Sequence, residues 1–186
     1  MIVIVSGLAG SGKTTLAKRL ANRYNLRFLT GSDFFRDVLK KFGIKLEENW
    51  HDTESILKLA KIRFENPEID KEVDRLLIKS VEKGSVAVTS RTLPYLIDGI
   101  KIFLRVSQDE RIRRVVARTG LSIENARKIV TKRDYYETEI YKRVYGVDVS
   151  KDLDVYNLII DGDDKTEEEV EDEARRYIES VKGKLW

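Results

Sequence analysis

The strongest constraint on this chain lies near its amino end, where a glycine-rich segment separates a short apolar run from a helical pattern. The segment reads Gly7-Leu8-Ala9-Gly10-Ser11-Gly12-Lys13-Thr14 and matches G-x-x-x-x-G-K-[ST] at every fixed position. The run Ile2 to Val5 before it suits a strand, and Thr14 to Tyr24 has helical periodicity. Backbone N–H groups at such a strand-to-helix turn can hold phosphate oxygens. The sequence therefore predicts a phosphate-binding loop (P-loop).

Each residue type in this loop has a physical task. The glycines let the backbone wrap around a phosphate where a Cβ would collide. Lys13 places a charge on the phosphate oxygens and acts as a catalytic residue, and the Thr14 hydroxyl is the expected Mg²⁺ ligand. With ATP and Mg²⁺ as cofactors, we predict that the nucleotide-binding residues are Gly7, Leu8, Ala9, Gly10, Ser11, Gly12, Lys13, Thr14 and Thr15.

Five short runs rich in β-branched or aromatic residues alternate with helical patterns. This alternation predicts an α/β fold in which helices cover both faces of a parallel sheet. A length of 186 residues suits a single domain. The runs are Ile2 to Val5, Arg27 to Leu29, Ser85 to Val88, Lys101 to Val106 and Val155 to Ile160.

Two long intervals between these runs predict helical insertions on a core made of residues 1–31, 84–118 and 147–186. The interval at about 32–83 is interpreted as an acceptor-binding region and the interval at about 119–146 as a lid. Helix signals within and beyond them are the expected N-caps Ser32, Asp33 and Ser122, first-turn Pro67, terminators Gly43, Gly120 and Gly146, and a capping box of Thr166 and Glu169.

Composition narrows the class of protein. The 35 basic and 32 acidic residues are interspersed, which argues against a nucleic-acid partner. The chain has no cysteine, so disulfides and thiolate metal sites are excluded. The first apolar run is too short for a signal sequence or a membrane span. We expect a cytoplasmic enzyme with a small-molecule nucleotide substrate, monomeric or a small homo-oligomer; 36% charged residues are typical of proteins from high-temperature organisms.

Arginines near the predicted strand ends point to phosphoryl transfer between two phosphorylated ligands. Arg91 follows the third strand and Arg36 lies one turn into the helix after the second, so both suit an acceptor phosphate in the crevice beside the P-loop. Asp33 either caps that helix or approaches Mg²⁺ or the acceptor. Further arginines that could neutralise the transferred group are Arg111, Arg114, Arg118, Arg127 and Arg133.

Of these arginines, Arg111 and Arg127, like Arg113, are interpreted as surface charges. Arg114 is expected to contact the nucleotide, and Arg91, Arg118 and Arg133 are predicted to be catalytic. His51 is interpreted as a surface residue. The helical spacing of Tyr135, Tyr136, Tyr141 and Tyr145 favours packing on a helix face over stacking on a base.

On these residues the chain resembles the nucleoside monophosphate kinases, most closely archaeal-type cytidylate kinases. The resemblance implies a five-stranded parallel sheet of order 2-3-1-4-5 with a monophosphate-binding insertion and a lid, and transfer from ATP to CMP or dCMP. It also implies that Ser32, Asp33, Arg36, Arg91, Arg133 and Glu137 bind the acceptor. The similar stretches are Ser6 to Thr15, Gly31 to Arg36, Asn66 to Asp70, Ser90-Arg91, Arg114 to Arg118 and Arg133 to Asp148.

Three positions depart from the family pattern. The family usually has threonine where Lys13 stands, an acid and a glycine where Thr89 and Ser90 stand, and an arginine that helps to recognise cytosine where Ile140 stands. Two alternatives therefore stay open: a P-loop kinase for another small acceptor, and a nucleotide-binding regulatory ATPase that has lost its acceptor site.

Overall fold

The computed structural model describes residues 1–44 and 53–182, and its centre is a five-stranded sheet in which every strand pairs in parallel with its neighbours. The strand order β2-β3-β1-β4-β5 confirms the predicted order 2-3-1-4-5. The strands are β1 (Ile2–Ser6), β2 (Arg27–Thr30), β3 (Val86–Thr89), β4 (Ile100–Arg105) and β5 (Leu158–Asp161).

The last strand begins three residues later than its apolar run predicts. The N–H group of Tyr156 donates to the carbonyl oxygen of Leu153 at 3.1 Å, so Val155 belongs to a turn. The backbone joins the sheet at the next residue, where the N–H group of Asn157 donates to the carbonyl oxygen of Lys101 at 2.9 Å.

Helices cover both faces of the sheet, as the continuous apolar strands require. Val3 and Val5 are fully buried against one layer, and Ile4 is fully buried against the other. The helices are α1 (Lys13–Tyr24), α2 (Ser32–Lys41), α3 (Thr53–Glu65), α4 (Glu68–Val81), α5 (Leu93–Leu96), α6 (Gln108–Thr119), α7 (Ile123–Tyr145) and α8 (Glu167–Lys182). Between β2 and β3 the chain forms α2, α3 and α4, and β4 is followed by α6 and α7.

Most helix boundary signals are confirmed. Ser122 accepts a hydrogen bond from the N–H group of Asn125 at the start of α7, and left-handed Gly146 ends that helix. At the start of α8, Glu169 Oε2 accepts from the N–H group of Thr166 at 2.8 Å, and Thr166 Oγ1 accepts from the N–H group of Glu169 at 3.2 Å. This pair is the expected capping box.

The predicted N-caps of α2 are wrong. Gly31 already has helical dihedral angles, φ −54° and ψ −31°, so Ser32 and Asp33 lie inside the first turn. The Asp33 carboxylate instead accepts a hydrogen bond from the N–H group of Thr30 at 2.7 Å. Asp33 therefore stabilises the turn that precedes the helix.

Helix α7 packs against α3, which brings the two predicted insertions together. The ring of Phe64 lies 5.6 Å from that of Tyr136, and Arg143 Nη1 donates to the carbonyl oxygen of Phe64 at 2.9 Å. Tyr141 is 6% exposed. These contacts support helix packing as the role of Tyr136 and Tyr141, whereas Tyr135 is 57% exposed.

Two further sequence expectations concern His51 and membrane-spanning helices. His51 lies outside the described residues. Within residues 1–44 and 53–182, no helix combines the length and the apolarity that crossing a membrane requires.

Candidate active site

The glycine-rich loop joins β1 to α1 in a conformation that favours glycine. Gly7, Gly10 and Gly12 have φ angles of 149°, 83° and 94°. A Cβ on Gly7 would lie 2.6 Å from Ser11 Oγ and 2.7 Å from the carbonyl oxygen of Leu104. The described part of the chain offers no backbone acceptor to the N–H groups of Gly10 and Gly12. The loop therefore has the shape and the free donors of an anion cradle.

Arg111 on α6 holds this loop in place through a hydrogen bond to its backbone. Its Nη1 donates to the carbonyl oxygen of Ala9 at 3.0 Å, and its Nη2 lies 2.7 Å from Asp134 Oδ2 on α7. Arg111 is 3% exposed, so its interpretation as a surface charge is wrong. The physical reason is that Arg111 packs directly against the loop: a Cβ on Gly10 would lie 3.1 Å from the carbonyl oxygen of Arg111. Arg113 and Arg127 are exposed, as expected.

Arg114 joins two loops across the same end of the sheet. Its Nη1 donates to the carbonyl oxygen of Ser11 at 2.9 Å, and its Nη2 donates to that of Gly162 at 2.6 Å. Its Nε pairs with Glu110 at 2.8 Å. The guanidinium thus fixes the P-loop relative to the segment that follows β5.

Lys13 is the first residue of α1, and the pKa of its ammonium group is shifted. Its Nζ donates to the carbonyl oxygen of Leu8 at 3.3 Å. Burial and the nearby Arg91 lower the pKa of Lys13 well below its usual value, and Glu137 opposes them only in part. The charged form of Lys13 is therefore disfavoured in the free protein, and a bound anion would counteract this.

Glu137 lies at the centre of a group of cations that we call the arginine cluster: Arg63, Arg91 and Arg133. The Glu137 carboxylate is 2.8 Å from Arg91 Nη2, 3.2 Å from Arg133 Nη2 and 3.8 Å from Arg63 Nη1. Burial raises the pKa of Glu137, but Arg91 and Arg133 lower it more, to about 2. Glu137 is therefore an ionised, buried counter-ion.

Arg91 retains buried donors that the described part of the chain does not satisfy. Its Nε and Nη2 atoms make no hydrogen bond there, although Nη2 is within ion-pair distance of Glu137. Buried donors without acceptors are costly. An anionic ligand would remove that cost.

Arg63 was not predicted from the sequence. It is 7% exposed, and its Nε and Nη2 atoms both bond to the Asp70 carboxylate on α4. Its Nη2 also donates to the Tyr141 hydroxyl at 3.0 Å, and its guanidinium carbon lies 4.8 Å from the centre of the Phe35 ring. An arginine within the apolar stretch Leu59 to Phe64 was the available signal.

Asp74 was also missed. One of its carboxylate oxygens accepts from Thr92 Oγ1 at 2.8 Å and the other from the Tyr145 hydroxyl at 2.7 Å. Burial raises its pKa to about 6, and its two hydroxyl partners oppose that shift. The signal in the sequence was its spacing of four from Asp70, which places both acids on one face of α4.

A cavity of 990 Å³ connects these groups. It joins the P-loop to the arginine cluster, Arg114, Arg118, Asp70 and Asp74, and Ser32 and Thr89 also line it. Of the predicted site residues, the structure therefore brings these together: Ala9, Gly10, Ser11, Gly12, Lys13, Thr14, Thr15, Ser32, Arg91, Arg114, Arg118, Arg133 and Glu137.

Some predicted site residues do not line this cavity. Arg36 is exposed on α2, whereas its neighbour Phe35 reaches the cavity wall. The carboxylate of Asp33 bonds to Thr30, and Gly7 and Leu8 are not among the lining residues. Ile140 is 1% exposed and packs against Tyr141 and Val149.

The sheet order, the P-loop after β1 and the basic residues facing that loop define a P-loop kinase. The chain belongs to the cytidylate kinase-like family, whose sequence model matches residues 2–164. It is therefore a nucleoside monophosphate kinase, a phosphotransferase.

Individual relatives agree with this membership. A cytidylate kinase of Methanopyrus kandleri is 32% identical over 181 residues, 91% of this chain and 88% of the relative. A cytidylate kinase of Pyrococcus horikoshii is 36% identical over 162 residues, 86% of this chain and 79% of the relative.

Solved structures with similar folds are more distant in sequence. An uncharacterised protein from Eubacterium ventriosum superposes with a TM-score of 0.65 at 18% identity, covering 97% of this chain and 99% of that one. A shikimate kinase from Acinetobacter baumannii, solved with shikimate, gives a TM-score of 0.53 at 14% identity, covering 100% and 95%. These likenesses support the fold alone.

Proposed function

We propose that this enzyme transfers the γ-phosphoryl group of ATP, with Mg²⁺, to CMP or dCMP. The observation that carries the proposal is the excess of cations in one cavity. Arg91 and Arg133 share the carboxylate of Glu137, and Arg63 is already paired with Asp70. Lys13 lines the same cavity and forms no ion pair within the described ranges; its Nζ donates to the carbonyl oxygen of Leu8. Two phosphorylated ligands would supply the missing negative charge.

The reaction divides between the two ends of the cavity. The P-loop amides and Lys13 bind the β- and γ-phosphates of ATP, and Arg91 and Arg133 bind the acceptor phosphate. An oxygen of that phosphate attacks the γ-phosphorus, the bond from the γ-phosphorus to the β–γ bridging oxygen breaks, and ADP leaves with the electron pair. Lys13, Arg91, Arg118 and Arg133 stabilise the charge on the transferred group.

The residues of the P-loop fit a magnesium ion as well as phosphates. The Thr14 hydroxyl is exposed at the start of α1 and lines the cavity. No group of three or more acidic, histidine or cysteine side chains suited to a metal occurs in the described ranges. Mg²⁺ commonly takes few protein ligands besides phosphate oxygens and water, and Thr14 would be one of them. The ion would neutralise charge on the phosphates. Asp33, the predicted second ligand, has less support because its carboxylate bonds to Thr30 and does not line the cavity.

The acceptor end supports the proposed use of the two insertions. Helices α3 and α4, within about 32–83, supply Arg63, Asp70 and Asp74, and α7, within about 119–146, supplies Arg133 and Glu137. Ser32 and Arg114 remain predicted contacts with the acceptor and with ATP. Arg36 has less support because it is exposed away from the cavity.

A panel of acceptors tests this function. The enzyme with ATP and Mg²⁺ is assayed against CMP, dCMP, UMP, AMP, GMP and cytidine by ADP release and by product identification. We expect the largest kcat/KM with CMP or dCMP. A different preferred acceptor would replace the cytidylate assignment with another small-molecule kinase.

The regulatory ATPase is the other open alternative, and Thr89 and Ile140 are the departures that favour it. It predicts slow ATP hydrolysis that no nucleoside monophosphate accelerates. Lys13→Ala is the control in both cases, because it should remove ATP-dependent turnover whichever acceptor is used.

A further inference from the structure

Asp74 combines burial with an absence of cationic partners in the described part of the chain. It is 7% exposed, and its hydrogen-bond partners there are the neutral hydroxyls of Thr92 and Tyr145. Asp70, one helical turn earlier, is instead neutralised by Arg63. An ionised carboxylate has room for about four hydrogen bonds. Asp74 therefore keeps accepting capacity in a place where unpaired charge is costly.

Asp74 lines the same cavity as the arginine cluster but bonds to different groups. Glu137 pairs with Arg91 in the cluster, whereas Asp74 accepts hydrogen bonds from Thr92 and Tyr145. The cavity thus contains, besides its cationic cluster, a carboxylate that forms no ion pair within the described ranges. We call the part of the cavity around Asp74 its second end.

The walls near this second end suit a flat ring. They include the ring of Phe35 on α2, and Val73 and Leu77 on α4 beside Asp74 itself. Arg63 stacks over Phe35 at 4.8 Å. An apolar surface with a few fixed polar groups is the usual composition of a site that orients a ring.

We propose that Asp74 reads the base of the acceptor nucleotide by accepting a hydrogen bond from its exocyclic amino group. This inference rests on the proposed function. An amino group brings donors to the unused lone pairs of the carboxylate, whereas a base with a carbonyl at that position would set acceptor against acceptor. A residue on α4 would then select the base, because the apolar side chain of Ile140 on α7 cannot form a hydrogen bond with it.

The expected selectivity is large because the unpaired group would be buried. A site built to bond a donor on its substrate rejects an analogue without that donor by roughly 10⁴- to 10⁵-fold. Thr92 and Tyr145 already share the charge of Asp74, so we expect discrimination on the order of 10²-fold between CMP and UMP.

The substrate-side test uses the unaltered enzyme. The kcat/KM for CMP is compared with that for UMP and for the 5′-monophosphate of the 2-pyrimidinone riboside, which lacks the 4-amino group. We expect both analogues to fall by about 10²-fold. Equal kcat/KM for CMP and the amine-free analogue would overturn the inference.

The enzyme-side test uses Asp74→Asn, which keeps the shape of the side chain and adds a donor. The ratio of kcat/KM for CMP to that for UMP should fall at least about 10-fold, and the penalty for removing the 4-amino group should shrink. Tyr145→Phe is the matched control, because it removes a partner of the carboxylate while leaving the carboxylate in place. It should lower both rates together.

The outcomes separate the inference from the function on which it rests. An unchanged CMP-to-UMP ratio in Asp74→Asn, with CMP phosphorylated by the unaltered enzyme, overturns the role of Asp74 alone. Failure of the unaltered enzyme to phosphorylate CMP, while another acceptor reacts, overturns the proposed function first. The ratio is insensitive to partial unfolding, because unfolded enzyme reduces both rates by the same factor.

Discussion

Arg111 donates a hydrogen bond from Nη1 to the carbonyl oxygen of Ala9, at 3.0 Å and across 102 positions of the chain. The same guanidinium forms a pair with Asp134, so it joins the loop after β1 to α7. Arg111 is nearly fully buried, whereas Arg113 on the same helix is exposed. The shape of the phosphate cradle therefore depends on a residue that does not line the cavity.

Replacing Arg111 by alanine should destabilise both the fold and the nucleotide site. The change leaves the Asp134 carboxylate without its cation and the Ala9 carbonyl without its donor, and breaking a buried pair costs about 3–5 kcal/mol. Denaturant unfolding and ATP affinity measure the two effects. Arg113→Ala is the control, with an expected change of less than about 0.5 kcal/mol. Similar stability of the two variants would contradict the role given to Arg111.

Lys13→Met should separate catalysis from stability. Burial and Arg91 lower the pKa of Lys13, so keeping this lysine protonated opposes folding, and a neutral residue of similar size should leave the melting temperature unchanged or higher. Turnover should fall at least about 10²-fold because the transferred phosphoryl group loses a fixed charge. Lys18→Met, on the exposed side of α1, is the control for both assays. A variant that is unstable but retains full activity would refute both parts.

Glu137→Gln should lower the stability of the free enzyme and increase the stabilisation that a bound anion provides. The variant leaves Arg91 and Arg133 without a counter-ion, at a cost of about 3–5 kcal/mol. The pKa of Glu137 is about 2, below the ordinary 4.5, so its contribution to stability is present above pH 4.5 and is lost as the pH falls towards 2. Denaturant unfolding between pH 7 and pH 3 should show a smaller pH dependence in the variant.

Two further measurements check the role of Glu137. Inorganic phosphate should raise the melting temperature of Glu137→Gln more than that of the unaltered enzyme, because the anion can replace the lost charge. Glu139→Gln, at a half-exposed position on the same helix, should behave like the unaltered enzyme. Equal phosphate responses of all three proteins would show that the arginine cluster does not need the carboxylate.

Asp74→Asn should stabilise the free enzyme at neutral pH. Burial raises the pKa of Asp74 to about 6 from 3.8, so the folded state binds its proton more tightly than the unfolded chain. The stabilising contribution of protonation is complete below pH 3.8 and lost as the pH rises through 6. The variant should gain up to about 3 kcal/mol at pH 8, and this gain should shrink towards pH 4. A gain that does not depend on pH would exclude titration of Asp74 as its cause.

The sequence was sufficient to predict the sheet and the P-loop because both depend on local patterns. Apolar runs of β-branched residues gave the strands, and Gly7, Gly10 and Gly12 occur where the backbone has positive φ. Ser122 and Gly146 bound α7 as expected. Capping and loop conformation act over a few residues, so they are visible in the sequence alone.

The acceptor end could not be predicted in the same way. Arg63 and Asp70 pair between different helices, and Tyr141 joins them from a segment 78 positions beyond Arg63. Arg111 was misjudged because its polar neighbours on α6 resemble a solvated surface, and only tertiary packing covers it. Arg36 was expected at the site because it follows a strand end, but the rotation between adjacent helical positions turns Phe35 there instead.

Three residues of helix α7 contact the site. Asp134 pairs with Arg111, which bonds to the P-loop, and Glu137 pairs with the arginine cluster. Tyr145 donates a hydrogen bond to Asp74. These contacts lie on a single uninterrupted rod whose successive positions are rotated by about 100°. Adding or deleting one residue between Asp134 and Tyr145 would turn one end away from its partners. The number of residues between Asp134 and Tyr145 therefore sets the distance between the ATP-binding and acceptor-binding parts of the cavity. The length of this segment is less free to vary than that of a surface loop.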